Sequence, residues 1–233
     1  MIRPLRTQPV NDYPTSDGKP MAETELHRNL MVDLLQTLQW WFRDRPDMCV
    51  TGDLLVFYEK GDKRRHVAPD VFVVPDVGNH LRENYLLWEE GGGGLDFVIE
   101  VTSSSTRRED TGKKSRLYAE KLGVREYVLF DPRGDYLEPS FQVFRRTRDA
   151  FRPARLTDGR FSSRVLGLDL ERDGTQLRFR NPATGERLMT PAELRAAETA
   201  RADAETERAD AAEAELARLR QELARLRGGR NGS

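Results

Sequence analysis

Apolar residues recur along this chain in two rhythms. Between Met21 and Arg45, Leu26, Leu30, Leu34, Leu35, Leu38 and Trp41 fall at three- and four-residue steps, which predicts a helix with one buried stripe, ended by Pro46. The next segments are short and rich in β-branched and aromatic residues. Met48 to Tyr58 and Arg64 to Val74 predict a hairpin about the Lys60-Gly61-Asp62-Lys63 turn. Leu81 to Trp88 predicts a short helix ended by glycines.

The central stretch is 95–132. Leu95-Asp96-Phe97-Val98-Ile99-Glu100-Val101, entered through Gly91 to Gly94, predicts a buried strand that ends on a carboxylate. The hydroxyl cluster Thr102 to Thr106 offers helix caps. Arg107 to Leu122 predicts a helix stopped by Gly123, and Val124 to Phe130 a second buried strand closed by Asp131-Pro132. Beyond this, Phe141–Arg145 with Phe151–Leu156, and Leu166–Leu170 with Gln176–Arg180, predict antiparallel pairs that form a cover without a chemical constellation.

After residue 190 the pattern changes. Thr190, Pro191 and Glu193 are the cap, first-turn and capping-box residues of a new helix. The charged Ala/Glu/Arg-rich segment 191–227 nearly repeats by sevens, and Leu216, Leu219, Leu223 and Leu226 are spaced as in a coiled-coil seam. Glu198 and Glu205 interrupt that seam upstream, so a solvated single helix stays open beside a coiled coil. The expected organisation is a flexible arm over 1–19, a folded domain over 20–190, the helix over 191–227 and a flexible tail over 228–233.

Composition narrows the function. A net charge of −1 gives no global basic field, so attraction to nucleic acid must be local. One cysteine, Cys49, excludes an internal disulfide framework and a cysteine zinc site. Apolar runs are too short to span a bilayer, and no signal-peptide core is evident, so the expected location is the cytoplasm with no membrane partner.

Candidate chemistry lies in Asp70 after Pro69, Glu100 at a strand end, Lys113 and Lys114 on the next helix, and Glu23 or Glu25 on the first. Taken alone, Pro69-Asp70 is a turn signal, and the compact reading of Glu100 is a carboxylate satisfied by neighbouring hydroxyls or an arginine. His27 reads as a surface or capping residue, since no second His or Cys lies at metal spacing. Two carboxylates on adjacent strands plus a lysine are the minimum for metal-assisted phosphodiester hydrolysis, and hard oxygen ligands suit Mg²⁺ or Mn²⁺.

Pro69-Asp70, Ile99-Glu100-Val101-Thr102-Ser103-Ser104-Ser105-Thr106, Asp110 with Lys114 and Tyr118, and Gly123 to Tyr127 with Asp131-Pro132 closely resemble the Uma-two family of restriction-endonuclease-like proteins, within the PD-(D/E)XK nuclease superfamily. The resemblance covers about residues 20–190. It implies an α/β fold with a central mixed sheet flanked by helices, to which the long C-terminal helix is added. It implies a metal-dependent DNA endonuclease in which Asp70, Glu100 and the Val101 carbonyl bind the ion. Lys114 is then the catalytic lysine, with Asp110, Tyr118 and Glu25 in support. The superfamily usually places its lysine two residues after the glutamate, where this chain has Thr102. The competing reading is a catalytically weak nucleic-acid-binding or assembly module that works through its C-terminal helix, as a homodimer or with a protein partner. A purely structural α/β domain is the third.

Overall fold

The computed structural model describes residues 12–16, 18, 24–91 and 93–229, with side chains through 221. Most of the expected N-terminal arm and residues 230–233 of the expected tail lie outside the described residues. Part of that arm is docked rather than loose. Tyr13 packs on Phe57 and Trp88, and its hydroxyl accepts the Gly61 N–H at 2.7 Å.

Helix α1 spans Glu25–Trp41, and Thr24 caps it by accepting the His27 N–H. Its buried stripe is His27, Leu30, Met31, Leu34, Thr37 and Leu38. The predicted stripe had the right period but was one residue out of phase at its start, and this moves His27 from the surface into the interior. Strand β1 (Met48–Thr51) and the short β2 (Val56–Phe57) replace the single predicted strand. The return arm is likewise broken into β3 (His66–Val67) and β4 (Val71–Pro75). β2 pairs with β3 and β1 with β4, both antiparallel, so the hairpin is real but split midway.

Gly52 is the reason the split can form. A Cβ there would lie 2.0 Å from the Asp70 carbonyl oxygen, so only glycine lets the β1 end cross so close to Pro69-Asp70. Gly52→Ala should therefore destabilise the domain by about 1–3 kcal/mol in urea unfolding.

The region 81–88 contains strand β5 (Tyr85–Leu86), not the expected helix. β5 runs parallel to β2, with Tyr85 and Leu86 fully buried, and this edge pairing outweighs the weak helical pattern. Strand β6 is Phe97–Val101. A π-helical stretch, Glu109–Lys114, leads into the short α2, Ser115–Glu120. Strand β7 (Glu126–Phe130) pairs parallel with β6; β8 (Phe141–Thr147) and β9 (Ala150–Pro153) follow as a hairpin. The described residues thus form a six-stranded mixed sheet in the order β1-β4-β6-β7-β8-β9. Strands β10 (Arg160–Ser162), β11 (Asp169–Asp173) and β12 (Gln176–Arg180) make a separate antiparallel sheet.

Strand alternation assigns the two faces. Val71, Val73, Phe97, Ile99 and Val101 pack with α1 and with Phe161, Leu170 and Phe179 of the second sheet. Phe72, Val74, Val98, Tyr127 and Leu129 pack with Tyr118 and Leu122. The second sheet is pinned by Glu171, whose carboxylate accepts Arg160 Nε at 2.9 Å, Arg180 Nη2 at 3.0 Å and Arg187 Nε at 2.6 Å. Burial works against its charge, but the hydrogen bonds from Arg180, Arg187 and Arg160 outweigh it and pull the carboxyl down to about 2. The folded value lies below the unfolded one of about 4.3. Its stabilisation is therefore present above that pH and is lost as pH falls toward 2. Stability curves of wild type and Glu171→Gln should run apart above pH 5 and converge in acid.

The C-terminal segment is a separate compact unit, Met189–Ser233. Helix α3 spans Pro191–Gly229, about 58 Å at 1.5 Å per residue, and runs two residues past the expected end. The capping box forms as the sequence predicts: Thr190 N–H donates to Glu193 Oε2 at 2.7 Å, and Glu193 N–H to Thr190 Oγ1 at 3.3 Å.

Candidate active site

The candidate groups meet where β4 begins and β6 ends. Carried two residues beyond the Val71–Ile99 pair, the β4–β6 register sets Val101 opposite Pro69, which has no N–H to donate. The ladder stops there. Asp70 Oδ2 accepts the Val101 N–H at 2.6 Å instead, and β4 offers no N–H to the Val101 carbonyl. A proline-aspartate pair thus ends the strand pairing and fixes a carboxylate beside Glu100.

The second element is the helical segment after β6. Ser103 and Thr106 cap it through mutual hydroxyl and N–H bonds at 3.0–3.3 Å. The Tyr127 hydroxyl donates to the Asp110 carbonyl at 3.0 Å and ties the π-helical stretch to β7. A π-turn widens the helix, and such turns concentrate at functional sites. Here the turn stacks Asp110 under Lys114. Lys114 Nζ lies 3.1 Å from Asp110 Oδ1 and 3.0 Å from Glu100 Oε2. The Tyr118 hydroxyl donates to Glu100 Oε1. Lys113 is exposed.

The electrostatics follow from one ammonium among three carboxylates. Glu100 is 1% exposed; burial pushes its carboxyl up to about 8, Lys114 opposes this, and Asp70 and Asp110 add to it. Burial also raises Asp110 against the pull of Lys114. Lys114 resists the same burial because Glu100, Asp110 and Asp70 together hold its ammonium above the ordinary lysine value. Burial, helped by the Glu100 charge, raises Tyr118 well above the usual phenol, so it stays a donor. One ammonium thus serves two buried carboxylates, Glu100 and Asp110.

Asp70, Glu100, Val101, Asp110, Lys114 and Tyr118 are therefore brought together. Glu25 is not: its carboxylate is 80% exposed and lies 3.7 Å from Arg28 on the helix surface. The first helix instead contributes His27, which is buried, with Nε2 3.5 Å from Asp70 Oδ2. Its signal was available in the sequence, since His27 lies three and four residues before the buried Leu30 and Met31.

A mixed sheet with a helix packed on each face and a carboxylate–lysine cluster at its strand ends makes this an α/β domain with its candidate site at one end of the sheet. This chain belongs to the Uma2 family. The family model, described as "Putative restriction endonuclease", matches residues 7–173. Among solved structures, the chain is similar to a nuclease of DUF820 from Anabaena variabilis ATCC 29413, described as putative, with 16% sequence identity over 64% of this chain and 76% of that one. The TM-score is 0.45, and nothing about this chain rests on that likeness. No curated protein matches.

Proposed function

We propose that the protein is a divalent-metal-dependent endonuclease that hydrolyses phosphodiester bonds in DNA. The observation that carries this reading is the charge imbalance at the strand ends, where Glu100 and Asp110 both contact the one Lys114 ammonium, Asp70 adds a third negative charge nearby, and Glu100 is pushed up to about 8. A divalent cation is the counter-charge such a group lacks. Among the described residues no three His, Cys, Asp or Glu side chains converge on one point. Two carboxylates and a carbonyl are nevertheless the sparse oxygen set that Mg²⁺ or Mn²⁺ accepts while keeping several waters. The donor chemistry fits.

Asp70, Glu100 and the Val101 carbonyl would hold the ion. When bound, it supplies a water of lowered pKa and neutralises charge on the phosphoryl oxygens. The chain's own groups do the rest. Tyr118 fixes the Glu100 carboxylate by donating to Oε1, and Asp110 and Glu100 aim the Lys114 ammonium. Lys114 then orients the attacking water and stabilises the charge that develops on the phosphate. His27 Nε2, 3.5 Å from Asp70 Oδ2, steadies the same carboxylate oxygen that accepts the Val101 N–H. No helix among the described residues is long and apolar enough to cross a membrane.

Supercoiled plasmid incubated with Mg²⁺ or Mn²⁺ should be nicked and linearised by wild type and left intact by Glu100→Ala. Equal products from both would overturn the assignment. Intact plasmid with both would favour the binding or assembly reading.

A specific observation supports assembly as an added property. Leu216 and Leu219 are 52% and 48% exposed on α3. Burying each leucine against a partner helix contributes on the order of 1.5–3 kcal/mol before ordering costs. The acidic positions upstream keep the seam short, so the association is weak. A chain truncated after Thr190 should stay folded and show a lower oligomeric state by light scattering. An unchanged state per chain would remove the helix as the association element.

A further inference from the structure

Beside the carboxylate cluster lies a cleft of about 60 Å³ that the chemistry above does not use. Its walls include Thr24 and His27 from the start of α1, Thr102 just past β6, and Asp131, Arg133 and Tyr136 from the turn after β7. Val101 also lines it, so the cleft adjoins the carbonyl placed at the metal.

Three features give it the chemistry of an anion site. Thr102 is 2% exposed, and its Oγ1 is buried with no hydrogen-bond partner among the described residues. A buried hydroxyl without a partner costs free energy unless something occupies it. The first turn of the 17-residue α1 brings the positive end of a helix to one wall.

The third feature is the opposite wall, which is built rigid. The Asp131 side chain is fully buried and accepts the N–H groups of Arg133 at 3.1 Å, Gly134 at 2.9 Å, Tyr136 at 2.5 Å and Leu137 at 3.0 Å. Arg172 grips the same turn from behind, donating to the Asp131 and Pro132 carbonyls at 3.3 and 3.2 Å. The one carboxylate in this wall is thus spent on backbone donors, and the turn carries Arg133, exposed, at the cleft.

We infer that this cleft binds a phosphodiester of the DNA strand adjoining the scissile phosphate, with the Thr102 hydroxyl donating to one of its oxygens and the Arg133 guanidinium pairing with its charge. The inference rests on the proposed nuclease reading and names a subsite of that same site. A phosphate contact of this kind carries register rather than sequence. It also separates two charge environments along the strand: carboxylates that attract a metal ion at the scissile phosphate, and a cation with free donors at the next one.

The test uses the full chain and a short duplex in which wild type has a mapped cut. Phosphates around the cut are replaced singly by neutral methylphosphonates, and binding is measured by fluorescence anisotropy with Ca²⁺ in place of Mg²⁺. One flanking replacement should weaken wild-type binding about tenfold. Arg133→Gln should bind the unmodified duplex about tenfold more weakly, with a salt slope shallower by about 1. The same methylphosphonate should then cost Arg133→Gln almost nothing. Thr102→Val, which keeps the buried shape, should shrink the penalty at that same position. Methylphosphonate penalties identical in wild type and Arg133→Gln at every position would overturn the subsite and leave the nuclease reading standing. A wild type that cuts no duplex overturns both.

Discussion

Lys114→Ala should reduce plasmid cleavage by about 10²–10³-fold, the loss typical of removing one preorganised stabilising group. Calorimetric Mn²⁺ affinity should stay the same or improve, because the variant removes a cation that competes for Glu100 Oε2. Lys113→Ala, one residue away and exposed, should cleave like wild type. Equal activity in wild type and Lys114→Ala would show that the lysine merely neutralises buried carboxylates. The two outcomes part cleanly because the ammonium contacts Glu100 and Asp110, while Asp70 is held by the Val101 N–H and faces His27.

The second large effect concerns Glu126, which the site does not use. It is 2% exposed in β7, and its carboxylate takes Arg145 Nε at 3.2 Å, the Arg164 N–H at 3.0 Å and the Ser163 hydroxyl. Glu126→Ala strands those donors and should cost about 3–5 kcal/mol in urea unfolding. Glu100→Gln should do the opposite in metal-free protein. The Glu100 carboxyl is raised to about 8, above its unfolded value of about 4.3, so its charge costs stability as pH rises from the lower value toward the higher. At pH 7 the glutamine variant should unfold at higher urea than wild type, and the gap should narrow toward pH 5. Two buried carboxylates on neighbouring strands thus move stability in opposite directions. Glu126 is met by an arginine and several backbone and hydroxyl donors, whereas Glu100 shares a single ammonium with Asp110.

That contrast shows where the sequence was informative and where it was not. Glu100 interrupts an apolar strand run and Glu126 opens one, and neither position shows in the sequence what its carboxylate meets. The difference lies in Arg145, Ser163 and Arg164, which reach Glu126 from up to 38 residues away. The central strand–helix–strand unit was legible because its periods, caps and stops agree. The Asp70 strand end was legible because proline cannot extend a ladder. The halves of the first hairpin were not, since the break depends on Gly52 passing against a backbone distant in sequence. The short β5 was hidden because pairing with β2 overrides a two-residue propensity. His27 was misplaced by phase alone. Starting the helix at Met21 rather than Glu25 put it on a surface turn, whereas the Thr24 cap puts it three residues into the helix and onto the buried face. Glu25 looked useful from its place near the helix start, but a residue two positions from His27 points away from the same corner.

The most direct measurement is the position of a metal ion. In crystals grown or soaked with Mn²⁺, anomalous scattering should show a peak touching the Asp70 carboxylate, the Glu100 carboxylate and the Val101 carbonyl at about 2.0–2.6 Å. The same peak should vanish in Glu100→Ala. No peak at that corner, or a peak there that persists unchanged in Glu100→Ala, would contradict the metal-dependent nuclease account.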